Sequence, residues 1–331
     1  MNIPVVDQIA KAVLYEGYML YPYRQSAIKN QQRWNFGVLY PEAYEEVKLG
    51  SEKCSMRVEC LFAGSERTRV RAAIRFLHLS GRSTLFQSGH RSLPPAWQEA
   101  NEREVELPQR RVSDLSDAFT MPFEFPADLR TTMLGRDEVG DQALVVRQQE
   151  ALGGAVELKI AAMRPGLFKV GVSVRNRTHL ADWKMAREEA LLRSMVSTHV
   201  VLQLEEGDFV SLLDPPDELR ELATNCKNIG AWPVLVGDRR QRDTVLASPI
   251  ILYDYPQIAP ESAGDLFDGT EIDEILSLRI MTLTDEEKQE IRNGDDRARD
   301  ILERTDAMPT EQFLKLHGAV RGMRPVDEER R

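Results

Sequence analysis

The residues best equipped for chemistry gather in one segment, SPIILYDYPQIAPESAGDLFDGTEIDE, from Ser248 to Glu274. Asp254, Glu261, Asp265, Asp268, Glu271, Asp273 and Glu274 fall within 21 positions of it. Pro249, Pro256 and Pro260 fix the local backbone and oppose both helix and ladder. Tyr253, Tyr255, Ile258, Leu266 and Phe267 place apolar anchors between the acids. Aromatic rings give an interface its buried area, and carboxylates steer a basic partner toward it. The combination therefore reads as a protein-docking surface. Carboxylate oxygens also suit hard cations, but the spacing is not that of an EF-hand loop, and no metal or cofactor is expected. The structural alternative is an ordered loop whose acids are merely solvated. A second stretch, LYEGYMLYPYRQSAIKNQQRWNFG, mixes aromatics with cations. Its Tyr21, Tyr23, Arg24 and Trp34 are candidate additions to the same surface, because Arg and aromatic residues favour interfaces.

Other chemistry has little to build on. The five histidines, His78, His90, His179, His199 and His317, do not pair at metal-ligand spacing. Cys54, Cys60 and Cys226 are odd in number and sparse, which argues against a disulfide framework and fits a reducing compartment. The sequence has no nucleophile elbow, P-loop or zinc-protease signature, and its glycines form no dinucleotide fingerprint. No catalytic residues are assigned on this reading.

The chain of 331 residues has a net charge of −10, unevenly spread. Residues 261–331 hold 19 acids and 11 bases, a net −8. That tail would repel nucleic acid. Arg67, Arg69, Arg71 and Arg75 alternate with other residues and read as the wet face of a strand. No run reaches the roughly 18 apolar residues of a membrane span, and the N-terminus lacks a secretory pattern. A cytoplasmic location is expected.

The elements that would position these residues are strands first and helices last. Residues 12–23 and 34–40 read as strands. Residues 54–62 and 68–79 read as a strand pair joined through Gly64-Ser65. Residues 92–126 are broken by Pro94, Pro95, Pro108, Pro122 and Pro126 and read as a connecting region with short elements, with an edge strand expected within residues 104–115. Residues 155–162 and 167–176 form the clearest pair, with a turn at Arg164-Pro165-Gly166. Residues 184–195 and 217–225 are helical in composition. Glu206-Gly207-Asp208 reads as a hairpin turn, and residues 232–236 and 246–253 as two further strands. Near the end, Thr270 can cap a helix carrying Ile272, Ile275, Leu276 and Ile280. Thr284 to Glu287 matches a capping box. A last helix is expected over residues 310–322. The pattern predicts an α+β fold with an antiparallel β-sandwich or barrel-like body. The mostly β body would cover residues 1–260, divisible into two β subdomains near 92–150. An acidic helical region would cover residues 261–331.

Three passages together carry a resemblance: LYEGYMLYPYRQSAIKNQQRWNFG, VSLLDPP and SPIILYDYPQIAPESAGDLFDGTEIDEILSLRIMTLTDEEK. They resemble a conserved family encoded in the gene clusters of actinobacterial-type, oxygen-tolerant NiFe hydrogenases. The similarity runs from Leu14 to about Pro325. The family supplies no catalytic residues to carry over. The resemblance implies an accessory, maturation or assembly role, with NiFe hydrogenase subunits or maturation proteins as partners.

The leading expectation is thus an accessory protein that docks through Tyr253, Asp254, Tyr255, Glu261, Asp265, Phe267 and Asp268, joined by Tyr21, Tyr23, Arg24 and Trp34. Two alternatives stand beside it. One is an enzyme whose cleft gathers distant groups such as Arg24, Lys29, Asp254 and Glu261. The other is a homo-oligomeric structural protein.

Overall fold

Between residues 155 and 176 the alternation of the sequence becomes geometry. Val156, Leu158 and Ile160 face Val174, Val172 and Val170 across an antiparallel ladder, and all six are buried. This ladder belongs to a computed structural model. It describes residues 3–24, 26–31, 33–48, 50–86, 97–136, 142–182, 184–258, 264, 266–267, 273–292, 294 and 296–316. The chain divides into two units. The first is Met1–Gly17 with Trp34–Gln257, and the second is Tyr18–Arg33 with Ile258–Arg331. The fold is α+β.

The first unit holds thirteen strands among the described residues. They are β1 (Ser55–Ala63), β2 (Arg69–Phe86), β3 (Trp97–Glu106), β4 (Arg110–Arg111), β5 (Phe119–Phe125), β6 (Asp128–Arg136), β7 (Gln142–Gln149), β8 (Leu152–Arg164), β9 (Leu167–Asn176), β10 (Val196–Glu205), β11 (Asp208–Phe209), β12 (Trp232–Leu235) and β13 (Thr244–Ser248). All pairs are antiparallel. One sheet runs β11-β1-β9-β8-β5. The other runs β12-β13-β10-β2-β7-β6, with β3 and β4 also on β2. The sheets are sandwich-like: Val58, Cys60 and Phe62 of the first share one apolar core with Val70, Ile74 and Phe76 of the second. Among the described residues four α-helices belong to this unit: α1 (Ile3–Leu14), α3 (Glu42–Val47), α4 (Arg187–Leu191) and α5 (Arg220–Thr224). α1 packs Val6, Ile9, Ala10 and Val13 against Val234, Val236 and Leu246.

Several local expectations change. Residues 12–14 end α1, and the rest of 12–23 forms turns. Residues 34–40 make only a single bridge, Leu39 to Met195. The reason is backbone sign: Trp34 (φ +65°) and Gly37 (φ +53°) are left-handed, which a regular ladder does not accommodate. The described part of residues 92–126 holds β3 and β5 as full strands rather than short elements, and residues 104–115 hold the end of β3 and the two-residue β4. Pro122 sits within β5, which ends its sheet and so loses no second ladder bond. Of residues 184–195, only Arg187–Leu191 is α-helical.

The two expected hairpins at Gly64-Ser65 and Glu206-Gly207-Asp208 are crossovers between sheets. β1 pairs with β9 and β11, whereas β2 pairs with β10. Thr68 ties the crossovers together. Its hydroxyl donates to the Glu206 carbonyl (2.6 Å) and accepts from the Ser65 amide (2.9 Å). A Cβ on Gly64 would come within 2.5 Å of Thr68 Oγ1, and one on Gly207 within 3.0 Å of the Ala63 carbonyl. Only glycine permits that approach.

The second unit is helical: α2 (Ile28–Gln31), α6 (Asp273–Met281), α7 (Asp285–Arg292), α8 (Asp296–Asp306) and α9 (Thr310–Lys315). Leu276, Ile280, Ile291, Ala298, Ile301 and Leu302 are buried. The capping box closes as its sequence requires. The Thr284 amide donates to Glu287 Oε2 (2.9 Å) and the Glu287 amide to Thr284 Oγ1 (3.2 Å). Thr270 and Ile272 lie outside the described residues. No helix among the described residues is long and apolar enough to cross a membrane.

Candidate protein-docking site

The segment after β13 is built by side chains that alternate inward and outward. Ser248 Oγ donates to the Ile250 carbonyl (2.7 Å), turning the chain as it leaves the strand. Ile250 and Leu252 pack on the apolar layer beneath α1. Tyr255 packs on the core between the sheets. Asp254 points inward as a latch. Its Oδ1 accepts from the Leu235 amide (2.8 Å) and its Oδ2 from Ser211 Oγ (2.5 Å). The Tyr255 amide then donates to the Leu235 carbonyl (2.7 Å). Both polar groups of the last β12 residue are thereby satisfied. Tyr255 is left-handed (φ +57°), which bends the chain away from continued pairing.

With Leu252 and Asp254 turned in, the residues between and before them turn out. Tyr253 is 85% exposed and Ile251 72% exposed. An ordered, outward-facing aromatic flanked by anchored neighbours loses little freedom on meeting a partner. Ser211, by contrast, offers no nucleophile. Its hydroxyl donates to Asp254 and accepts from the amides of Leu213 (3.2 Å) and Asp214 (2.9 Å). This latch joins VSLLDPP to ILYDYP, two passages distant in sequence.

The other candidate residues are distributed differently. Trp34 lies in the first unit and is buried, with Arg187 Nη2 donating to its carbonyl (2.8 Å). Tyr21, Tyr23, Arg24 and Phe267 lie in the second. Tyr23 is buried and its hydroxyl donates to the Leu266 carbonyl (2.9 Å). Phe267 is buried with its ring 5.5 Å from that of Tyr18. Tyr21 is half-buried, with the Arg279 guanidinium 5.4 Å from its ring centre. Arg24 pairs with Glu287 (3.1 Å) and Glu290 (3.8 Å) of α7. Tyr23 and Phe267 are therefore packing residues of the helical unit, and Arg24 holds its first strand of chain to α7. Glu261, Asp265 and Asp268 lie outside the described residues.

Two further features escape sequence reading. The first is Glu59, 2% exposed on the outer face of the five-stranded sheet. Its carboxylate accepts from Arg57 Nε (3.0 Å) and Nη2, from Lys169 Nζ (3.2 Å) and from the Lys227 amide (2.8 Å). Burial alone would raise its pKa. The Lys227 amide, Lys169 and Arg57 outweigh that and hold it below the ordinary 4.5. Asn228 completes the hub, accepting from the Glu59 amide (2.8 Å). Gly171 stands opposite Glu59 and opens a groove of about 330 Å³ flanked by Lys159, Lys169 and Glu157. A glycine inside an apolar strand was the available signal.

The second is a cleft of about 1040 Å³ lined by Ser83, Val146 and Gln148 on one side and by Arg177, His179, Met185 and Glu189 on another. Its Arg193 is committed to Glu150 (2.9 Å). Arg24 and Lys29 belong to the second unit, Asp254 serves as a latch in the first, and Glu261 lies outside the described residues. Among the described residues no three His, Cys, Asp or Glu side chains gather as metal ligands. No family model matches the chain, and no curated protein matches it in sequence.

Proposed function

We propose that the chain is a docking protein, an accessory or assembly factor acting in the cytoplasm, whose partners are NiFe hydrogenase subunits or their maturation proteins. The partner class rests on the resemblance of the three passages. The docking role rests on one observation: Asp254 and Tyr255 are latched so that Tyr253 and Ile251 stand in solvent. Tyrosine is the residue type that most often anchors such surfaces.

The test is affinity purification of the full chain from its native host, with mass spectrometry of what is retained. The wild type is expected to retain a hydrogenase subunit or maturation protein. A chain carrying Tyr253→Ser and Ile251→Ser is expected to lose at least about tenfold of it. Retention unchanged by the two substitutions would overturn the assigned surface. Retention of no hydrogenase-related protein would overturn the partner.

A further inference from the structure

We infer that β6 is a self-association edge, through which two copies of this chain pair antiparallel about a two-fold axis at Thr131. The eight-stranded sheet ends on β6, and among the described residues nothing pairs with its outer side. Unpaired edges invite another strand, and proteins usually guard them with charge, proline or cover. β3, which pairs only with β2 among the described residues, is guarded in that way by Glu99, Glu102, Glu104 and Glu106. β6 is not. Its residues 129–133 are all exposed, and the strand contains no proline.

One face of β6 is also apolar. Leu129 is 66% and Met133 65% exposed. Register places Met133 beside Leu144, and Leu144 beside the exposed Leu85. Cross-strand neighbours share a face, so these residues form one stripe.

The charges of β6 select a second copy and a register. Asp128 already neutralises Arg130 of its own strand (2.6 Å). The edge presents little net charge even though the whole chain carries −10. A two-fold at Arg130 would set like charges face to face, which is destabilising. A two-fold at Leu129 would run the ladder into Pro126, which has no amide to donate. A two-fold at Thr131 uses Leu129 through Met133, the run that stops short of the irregularity at Leu134. It sets Arg130 against Thr132 and Leu129 against Met133 of the other copy. The apolar stripe then continues from one sheet into the next, which is how an added strand gains both ladder bonds and side-chain contact.

A five-residue ladder is a small interface, so a dissociation constant of about 10–100 µM is expected. Sedimentation of the full chain from about 5 to 500 µM tests it. The wild type should pass from monomer to dimer across that range. Thr131→Lys and Thr131→Asp each place like charges on the axis and should each remain monomeric. Their mixture should recover the dimer, because Lys then faces Asp, and recovery also shows that both variants are folded. A wild type that stays monomeric overturns the inference, as does dimerisation untouched by the substitutions. Loss without recovery in the mixture overturns the axis at Thr131. The Tyr253 surface and this edge stand or fall separately.

Discussion

Glu59 and Asp254 are two carboxylates in one unit, and they do different work. Glu59 is closed off in the sheet face and gathers charged donors from Arg57 and Lys169, as well as a backbone amide. Asp254 is half-buried and accepts only neutral donors, the Leu235 amide and the Ser211 hydroxyl. Glu59 pins the segment of Lys227 and Asn228 to β1, so its role is to hold the body together. Asp254 pins a chain whose preceding side chain, Tyr253, faces water, so its role is display. Neither carboxylate is free for chemistry, and the charge of a segment does not by itself reveal which of its acids meet a partner.

The largest expected effect breaks the first of the pair. Glu59→Gln leaves Arg57 and Lys169 without their counter-charge. Removing one partner of a buried ion pair costs about 3–5 kcal/mol. Both cations keep some access to water here, so a loss of about 2–3 kcal/mol is expected, read from urea denaturation.

The acid side sharpens the contrast. His78 and His199 are buried, and burial first, then the nearby charge of Arg103 or Arg75, lowers each to about 4. In the unfolded chain they take up protons near 6.5. The unfolded state therefore binds more protons between these values, and stability should fall as pH drops from about 6.5 to 4, on the order of 3 kcal/mol for each histidine. Glu59 acts below that window. Its lowered pKa contributes stability above 4.5 that is lost as pH falls through the folded value. Denaturation at a series of pH values should show Glu59→Gln parallel to the wild type above about 4.5 and flatter below it. Parallel curves throughout would remove Glu59 from its role.

A smaller loss is expected at the second carboxylate. Asp254→Ala leaves the Leu235 amide and the Ser211 hydroxyl without their acceptor, and water can reach a half-buried site. About 1–2 kcal/mol is expected, together with faster hydrogen exchange at Leu235 and Tyr255. The smallest stability effect belongs to the displayed residue. Tyr253→Ser should change stability by less than about 0.5 kcal/mol while reducing partner retention. If Tyr253→Ser destabilises as much as Asp254→Ala, the segment is structural throughout and the contrast fails.

The candidate site was partly legible from the residues alone. The cluster of prolines, tyrosines and acids marks an ordered segment with functional promise, and Tyr253 does face solvent. The sequence could not distinguish Asp254 from its acidic neighbours, because its partners Ser211 and Leu235 come from distant parts of the chain. Tyr23 and Phe267 look like interface aromatics by composition. Their burial brings Tyr23 to Leu266 and Phe267 to Tyr18, contacts between distant parts of the chain that spacing alone does not encode.

The sequence by itself determined what nearest neighbours decide. Alternation in residues 155–176 produced β8 and β9, Gly166 allowed their turn, and Thr284 with Glu287 closed the cap of α7. Only the tertiary structure decided which strands pair. β1 and β2 follow one another yet join different sheets, since Thr68 and two glycines hold the crossovers close and each strand finds its ladder far along the chain. Glu59 and Lys169 are likewise 110 positions apart, and Asp254 and Ser211 are 43 apart. Hydrophobic periodicity sets which face of a strand is buried, but the choice of neighbour is a competition among all strands, settled when the whole core closes.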